Sequence, residues 1–545
     1  MTCRNQLNRL GPDLVALISL LVCALIYTWG LYEHFDVWLY DESAYLNNGL
    51  NLLSALPSGE NAPLYAVWYF LLSLIQPDLV ALYYLNLRIL SVLLPLFMYV
   101  ALRATRSKTI LSFVVSLYVL TCWGNYLVWP KVSHFLLLIL LMGILLSACV
   151  ESYFFKTAIL ATAGLMSAYV RPEFFIAFCL LAVLLGVLLA RRGLKNISVP
   201  EIAKAFWIVG IWGVLVSVFS WPIGGGNRSM IAFGQHFASN YVDWTNDPRN
   251  PITMWGEITT ENFGLISSPL QAIFANPMAV TRHVWMNIIK FPHAIFNVFG
   301  GTNSTSHLGM VIIWLALLGL AVITGLLRYQ KSAQWIKGAS ISKWVQEGRT
   351  AFLLLPFLLP TVISIVGIYP RVHYIIILGI VSLIVLCSFL SARPLHLDVS
   401  AIQSQESVLR GVFFICSLSV LLMKPLFTST EISTRPNLLT IEFVKTLHLK
   451  KQVNMLEAEG GYSIYLGHNF RRVAEYDKNE SFKAFMQSFN VNLIVLSPGI
   501  EQDQRFIKDP EWQDFIKHPV AEGFVELSIP GTDERRLLIR SALLN

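Results

Sequence analysis

Long apolar stretches separated by short polar segments make up most of the first 425 residues. The hydrocarbon core of a bilayer is about 30 Å thick, and a helix needs about 20 residues to cross it. Stretches of about this length lie at 13–31, 79–102, 110–129, 133–150, 157–170, 172–190, 203–221, 309–327, 351–369, 372–391 and 409–425. The pattern predicts a mostly α, multi-pass membrane protein with about eleven transmembrane helices in residues 1–425.

The basic residues give the predicted spans an orientation. With a cytoplasmic N-terminus, every short Lys/Arg cluster between spans falls on the cytoplasmic side, as the positive-inside rule requires. The first loop, 32–78, then falls outside and contains six acidic residues but no Lys or Arg. We therefore expect 32–78, 222–308 and 426–545 to share the outer side of the membrane.

The tail, 426–545, has a pattern that differs from the rest of the chain. Short apolar runs at Tyr462–Leu466 and Leu493–Leu496 read as strands, and the stretches 482–489 and 511–517 read as helices. This alternation predicts a small water-soluble α/β domain. The outer loop 222–308, rich in Trp, Asn and His, has no clear periodicity, and we expect an irregular segment that covers a substrate.

Composition narrows the class of protein further. Apolar and aromatic residues make up 55% of the chain and charged residues 13%, which no soluble globular protein needs. The net charge of +7 does not indicate a nucleic-acid partner, because the basic residues lie in short clusters between apolar runs. The seven cysteines form no CxxC pair, which argues against a disulfide framework and a zinc site.

Two adjacent acids, Asp41 and Glu42, follow shortly after the first predicted span, within an apolar stretch. Ionised carboxylates are costly in such surroundings, so we expect these two to have a function. If 41–56 is a helix, Asp41 and Tyr45 share a face, whereas Asp41 and Glu42 diverge by about 100°. The two carboxylates then cannot converge as a retaining-glycosidase pair does. We expect one acid to act as a general base and the other to have a different role. The alternative is that Asp41 merely caps the helix.

Further polar residues collect at the outer ends of predicted spans. Arg171, Pro172 and Glu173 follow the fifth span, and charged groups there are costly unless they line an aqueous cavity. The segment Tyr369-Pro370-Arg371-Val372-His373-Tyr374 repeats this arrangement, and Lys131 reaches the same interface. Lys131 and Arg371 also fit a simpler interpretation, in which they extend their charge to the membrane surface.

Together these residues resemble the GT-C glycosyltransferases, integral membrane enzymes that move sugars from polyprenyl-phosphate carriers, including protein O-mannosyltransferases and lipid A aminoarabinose transferases. The resemblance covers the architecture and, mainly in residues 1–175, the motifs. It implies a catalytic centre at Asp41 and Glu42. It also implies familiar positions at the Pro-Leu-Tyr stretch beginning at Pro63, at Arg88, at the Arg171-Pro172-Glu173 motif, and at Arg371 with Tyr374.

The implied reaction transfers a sugar to a hydroxyl of a glycan, lipid or protein acceptor at the outer face of a bacterial cytoplasmic (inner) membrane. Asp41 would be the general base. The predicted donor-binding residues, which would hold the polyprenyl phosphate and its sugar, are Arg171, Lys131, Arg371, Tyr374, Tyr45 and Glu60. The pattern assigns no cofactor and no metal ligands, and it leaves open whether a divalent metal takes part.

The chain departs from the aminoarabinose branch at one position. Its relatives there carry an acid followed by lysine just before the proline segment, whereas here Glu60 is followed by Asn61. Other cations must then bind the donor phosphate. We also expect the second loop to close over the donor, with its carboxylates Asp243, Asp247, Glu257 and Glu261 helping to bind acceptor or metal.

Two other classes of function remain open. A transporter or flippase would explain the spans, although its polar residues should recur near the bilayer midplane. A surface-glycan ligase or polymerase would also place large loops outside the membrane. Consumption of a labelled polyprenyl-phosphate sugar distinguishes the transferase from both.

Overall fold

The computed structural model describes residues 3–126, 129–192, 199–223, 228–299, 351–391, 411, 417–418, 435–473, 481–503 and 506–544. Most of these residues are helical, and a small sheet follows near the C-terminus, so a mostly α fold with a C-terminal α/β unit is confirmed. The helices before the tail are α1 Cys3–Tyr27, α2 Leu31–His34, α3 Asp41–Leu50, α4 Pro63–Ser73, α5 Leu79–Ala104, α6 Thr109–Thr121, α7 Trp123–Tyr126, α8 Val132–Ala148, α9 Tyr153–Ala168, α10 Phe175–Arg192, α11 Val199–Phe219, α12 Arg228–Thr245, α13 Trp255–Phe263, α14 Pro269–Ala275, α15 Pro277–Phe299, α16 Leu358–Gly367 and α17 Val372–Ser391.

The helices match the predicted spans only in part. Two segments, Leu79–Ala104 and Pro172–Ala190, are long and apolar enough to cross a membrane. Seven shorter apolar helices of 10–17 residues accompany them: Gly11–Tyr27, Pro63–Ser73, Thr109–Thr121, Val132–Ala148, Phe206–Phe219, Leu355–Gly367 and Val372–Ser388. The predicted number of about eleven spans is therefore not found in the described part of the chain. The predicted span 309–327 and most of 409–425 lie outside the described residues.

Interruptions of the helices within predicted spans explain part of this difference. The run predicted to span 110–129 ends its helix at Thr121, because Cys122 is extended with a ψ of 148°. The run 351–369 divides into the 3₁₀ helix Leu355–Phe357 and α16. A helix of 13 residues such as α6 rises about 20 Å, which is less than the hydrocarbon thickness of about 30 Å.

The segment 222–308, predicted to be an irregular outer loop, is the clearest correction to the sequence analysis, because its described part is largely helical. In α12 the buried residues Met230, Phe233, Phe237 and Ala238 recur at helical spacing. They pack with Ile258 of α13 in a separate core. Polar residues lie between these buried positions, and for this reason the helical periodicity was not recognised in the sequence.

The first outer loop folds into two helices that pack closely on each other. Gly49 of α3 lies so near α4 that an added Cβ would come within 2.5 Å of the Cβ of Tyr69. Asp78 then caps α5, because its side chain accepts a hydrogen bond of 2.8 Å from the Ala81 N–H. This packing fixes the start of α3, where Asp41 and Glu42 stand.

The tail forms a five-stranded sheet with the strand order β2-β1-β3-β5-β4. The strands are β1 Val453–Leu456, β2 Phe470–Val473, β3 Leu493–Leu496, β4 Phe524–Ser528 and β5 Arg536–Arg540. The helices are α18 Pro436–Thr446, α19 Tyr462–Leu466, α20 Phe482–Ser488, α21 Pro498–Glu501, α22 Pro510–Lys517 and α23 Ser541–Leu544. The first three strands are mutually parallel, whereas β5 runs antiparallel to both of its neighbours, β3 and β4.

The sequence predictions for the tail are confirmed except at one run. The apolar run Leu493–Leu496 is a fully buried central strand, as expected. The predicted strand Tyr462–Leu466 is instead the short helix α19, which buries Tyr462 and Tyr465 three residues apart. Glycines flank it at Gly461 and Gly467, so the apparent alternation covers little more than one helical turn.

The three segments predicted to lie outside the membrane contact one another. The Asp36 carboxylate of the first loop accepts hydrogen bonds of 2.8 Å from the N–H groups of Asn437 and Leu438 in the tail. Arg228 of the second loop reaches Tyr45 of the first loop. These contacts bring 32–78, 228–299 and the C-terminal sheet to one end of the helices.

Candidate functional site

The two acids of α3 occupy opposite environments. Asp41, the first residue of the helix, is exposed and makes no hydrogen bond or ion pair within the described part of the chain. Glu42 is 0% exposed. Adjacent helical residues point about 100° apart, and here that angle separates solvent from the protein interior.

The buried Glu42 carboxylate is held by donors from three other parts of the fold. Tyr65 donates to Oε1 at 2.7 Å, Tyr69 donates to the same oxygen, and the Asn86 amide lies 3.1 Å from it. The backbone N–H of Lys131 donates to Oε2 at 2.7 Å. Burial raises the pKa of Glu42, although these donors oppose the shift by stabilising the anion. Glu42 therefore connects α3 to α4, α5 and the segment before α8.

Lys131 belongs to this buried cluster and not to an exposed cation site. Its side chain is 0% exposed, and its Nζ donates to the Asn125 carbonyl at 2.8 Å. Burial lowers the pKa of Lys131 to about 7, and the charge of Glu42 opposes that shift. The residue predicted to bind donor phosphate thus lies among groups that support α3.

Arg171 is positioned by the break between α9 and α10. Pro172 starts a 3₁₀ helix directly after it, and Arg171 itself is 7% exposed. Its Nε lies 2.6 Å from Glu173 Oε1, and its guanidinium carbon lies 4.4 Å from the centre of the Tyr374 ring. Burial would lower the pKa of Arg171, but the charge of Glu173 outweighs it and raises the pKa.

Arg228, at the start of α12, is a residue that the sequence analysis missed. It donates to the Tyr45 hydroxyl at 2.7 Å and to the backbone carbonyl of Glu60 at 2.6 Å. No carboxylate in the described residues forms an ion pair with it. The first outer loop therefore meets the second through a cation, with Glu60 supplying a carbonyl oxygen to that contact.

Arg371 completes a group of three arginines. It is half-buried and has no carboxylate partner in the part of the chain that the structure describes. The charges of Arg171, Arg371 and Arg228, and the opposing charge of Glu173, all act on the Tyr374 phenol. We call Arg171, Arg228 and Arg371 the arginine group. Since Glu173 pairs with one member only, the group carries a positive charge that no described carboxylate balances.

Helices α12 and α15 contact the segment that carries Arg371. In the buried network, Asn240 lies 2.9 Å from Nδ1 of His283, and Asn287 donates to the carbonyls of Val366 and Ile368 at 2.9 and 3.2 Å. His236 stacks on Tyr369 with a centroid distance of 4.8 Å. Burial and then the charge of Arg371 lower the pKa of His236 to about 3, so this ring is neutral at pH 7.

Three of the four carboxylates predicted to bind acceptor or metal from the second loop face cations of their own loop. Asp243 pairs with Lys290 at 2.5 Å, and Arg249 bridges Asp247 and Glu261. Glu257 lies in the first turn of α13. Among the residues that the structure describes, no group of three or more His, Cys, Asp or Glu side chains could hold a metal ion.

The structure therefore divides the predicted site residues into two clusters. Glu42 and Lys131 lie in the buried cluster. Arg171 and Arg371 belong to the arginine group, which Tyr45, Glu60 and Tyr374 contact. Asp41 lies one helical turn before Tyr45, on the same helical face. No known protein-family model matches the chain, and no curated protein is significantly similar to it.

Proposed function

We propose that the chain is a membrane glycosyltransferase that moves a sugar from a polyprenyl-phosphate donor to a hydroxyl-bearing glycan, lipid or protein acceptor. The transfer would occur at the outer face of a bacterial cytoplasmic membrane. One observation carries the proposal: the exposed carboxylate of Asp41, which makes no hydrogen bond or ion pair within the described residues, lies one helical turn from Tyr45, and the Tyr45 hydroxyl accepts a hydrogen bond from Arg228 of the arginine group.

The arginine group supplies what a phosphate leaving group needs. Guanidinium groups bind phosphate oxygens through paired N–H donors and keep their charge at any physiological pH. The only described carboxylate in contact with the group is Glu173, so two of its three charges remain for a ligand. Aromatic rings of Tyr374 and Tyr45 border the cations and would contact the sugar.

Apolar surface supports the membrane part of the proposal. On α11 the side chains of Phe206, Trp207, Val209 and Val214 are more than half exposed. A contiguous surface of this kind is unfavourable in water and favourable in lipid. An apolar recess between α15, α16 and α17, lined by Ile288, Phe291, Val362, Ile365, Val366 and Leu378, would take part of a prenyl chain.

The chemistry follows from this arrangement. Asp41 accepts the proton of the acceptor hydroxyl while the hydroxyl oxygen attacks the anomeric carbon of the donor sugar. The bond between that carbon and the phosphate oxygen breaks, and the polyprenyl phosphate leaves with the bonding electrons. The arginine group stabilises the negative charge that grows on the departing phosphate.

Glu42 has a positioning role in this proposal. Its carboxylate is inaccessible and ties α3 to Tyr65, Tyr69 and the Lys131 backbone. These contacts fix the rotation of α3 about its axis, and this rotation keeps the Asp41 side chain exposed to solvent. Geometry held in this way is needed because small displacements of a general base are costly in rate.

Purified protein in lipid vesicles, incubated with a labelled polyprenyl-phosphate sugar and acceptor extracts, tests the proposal. A transferase releases polyprenyl phosphate and moves the label to the acceptor. A transporter or flippase moves the intact donor across the vesicle without cleaving it. Intact donor after prolonged incubation with every acceptor fraction would refute the proposed function.

A further inference from the structure

The sheet of the tail reverses its strand order beside β1. From β1 the chain passes to β2 on one side, and β3 then pairs with β1 on the other side, all three strands being parallel. At such a reversal the chain segments that follow β1 and β3 leave the sheet in opposite directions. A crevice therefore opens beyond the carboxyl ends of these two strands. In this domain the crevice lies between residues after Leu456 and residues after Leu496.

Polar side chains gather at this edge of the sheet. Glu457 and Glu459 follow β1, and Ser497 follows β3. Arg535 directly precedes β5, whose first residue pairs with Leu496 at the end of β3. On the other side of β1, Arg472 places its Nε 3.8 Å from Glu457 Oε1.

Three atoms of these groups are buried without a hydrogen bond in the described part of the chain, although Arg535 and Glu459 pair through two other atoms, Nη2 and Oε1, at 3.5 Å. Ser497 is 0% exposed and its hydroxyl makes no hydrogen bond. Oε2 of Glu459 and Nε of Arg535 are also buried and unpaired. Buried polar atoms nearly always have partners, so three orphan atoms at one edge point to a missing ligand.

Gly499 shows that two of these groups border the same space. A Cβ built on Gly499 would lie 3.0 Å from the Cβ of Ala458, 3.6 Å from Ser497 Oγ and 3.9 Å from Glu459 Oε1. Gly499 itself is exposed, so the space opens to solvent. The crevice is therefore accessible from outside while its polar floor is buried.

The same edge of the domain contacts the start of α3. The Gly460 carbonyl accepts a hydrogen bond of 3.1 Å from the N–H of Tyr40, the residue before Asp41. Gly461 approaches Ser43 so closely that a Cβ there would lie 2.8 Å from its hydroxyl oxygen. Tyr40 adopts a φ of 60°, which is strained for a residue other than glycine and is held by this contact. The crevice thus lies beside the exposed carboxylate of Asp41.

The chemistry of the crevice fits a neutral polyhydroxyl ligand. Glu459 and Arg535 pair with each other at the crevice, so neither a free anion nor a free cation is favoured. Vicinal hydroxyls of a sugar donate to carboxylates and accept from arginine and serine. Tyr40, which is 54% exposed, offers an aromatic face at the rim.

We propose that this crevice, formed by Glu459, Ser497, Gly499 and Arg535, binds a neutral sugar of the acceptor beside Asp41. The acceptor is then a glycan or a glycan-bearing lipid or protein, not an unmodified peptide. This inference rests on the proposed function for its role in transfer, but the binding site itself does not.

The test is binding of the full-length protein in detergent to an array of neutral mono- and oligosaccharides. We expect wild-type protein to retain a subset of these sugars and Glu459→Gln to weaken that binding at least about tenfold, since hydrogen bonds to a charged group are lost. Ser497→Val, which replaces the hydroxyl with a methyl group, should also weaken it. Glu522→Gln is the matched control, because Glu522 pairs with Lys483 near the opposite edge of the sheet.

Two results would overturn the inference. One is that wild-type protein binds no neutral sugar on the array. The other is that Glu459→Gln and Ser497→Val bind like the control. Because the array contains no lipid-linked donor, sugar binding by a protein that never consumes donor would keep this site and refute only the transferase.

Discussion

The carboxylates of Asp41 and Glu42 belong to consecutive residues, yet one is exposed and unpaired within the described residues while the other is 0% exposed and accepts hydrogen bonds from four residues. Because the two carboxylates lie in different environments, replacing each with its amide should have a different effect. Removing the charge of Asp41 should affect chemistry, whereas removing the charge of Glu42 should affect folding.

Glu42→Gln is expected to lower the free energy of unfolding by about 1–3 kcal/mol. The amide –NH₂ group would face one of the hydrogen-bond donors that the carboxylate oxygen binds in the wild type, and neither group could accept. Thermal unfolding in detergent measures the loss as a lower midpoint. The Asp41→Asn protein, which changes an exposed side chain, serves as the matched control and should unfold like wild type. Equal midpoints for Glu42→Gln and wild type would contradict the positioning role.

Arg228→Ala should raise the KM for the donor about tenfold or more, because a charge-assisted contact to phosphate is lost. Arg228→Lys should recover only part of the affinity, since an ammonium lacks the paired donors of a guanidinium. Arg249→Ala is the control in the same loop, because Arg249 already pairs with Asp247 and Glu261. If both alanine variants changed the donor KM equally, the arginine group would lose its assigned role.

Glu457 predicts a pH dependence of stability in the tail. Burial raises its pKa to about 7 from 4.5, against the opposing Gly461 N–H and Arg472 charge. Between these two pH values the unfolded chain is ionised while the folded carboxyl keeps its proton, so stability falls as pH rises through the window. Glu457→Gln cannot ionise and should flatten the decline. Parallel plots of unfolding midpoint against pH for both proteins would contradict this prediction.

The predicted orientation places exposed Glu151 in the cytoplasm and exposed His468 outside. In a variant without its native cysteines, an impermeant thiol reagent added to intact cells should label His468→Cys and leave Glu151→Cys unlabelled. After lysis both should react. Labelling of both positions in intact cells, or of Glu151→Cys alone, would rule out this orientation.

Local pattern was enough to predict much of the fold. The apolar run of Leu493–Leu496 is a buried strand, and α20 and α22 lie where the helical pattern indicated. Proline and charge at Arg171-Pro172-Glu173 marked a real break between two helices. In each case, neighbouring residues determine the structure.

Long-range contacts were beyond reach of the same reasoning. Arg228 meets Tyr45 across 183 residues, and no local pattern distinguishes it from a surface arginine. Helical spacing predicted that Asp41 and Glu42 diverge, but only the packing of α4 and α5 decides which of them faces inward. The helix α12 was missed because Asn, Gln and His residues interrupt its apolar stripe.

The most direct measurement of the central claim is single-turnover transfer from a labelled polyprenyl-phosphate sugar by wild-type and Asp41→Asn protein, both checked for equal unfolding midpoints. The substitution keeps the volume of the side chain and removes the proton acceptor, so the rate should fall by about 10²–10⁴. If Asp41 were only an exposed residue at the start of α3, asparagine would serve nearly as well and the rate would persist. Near-normal transfer by a folded Asp41→Asn protein would contradict Asp41 as the general base.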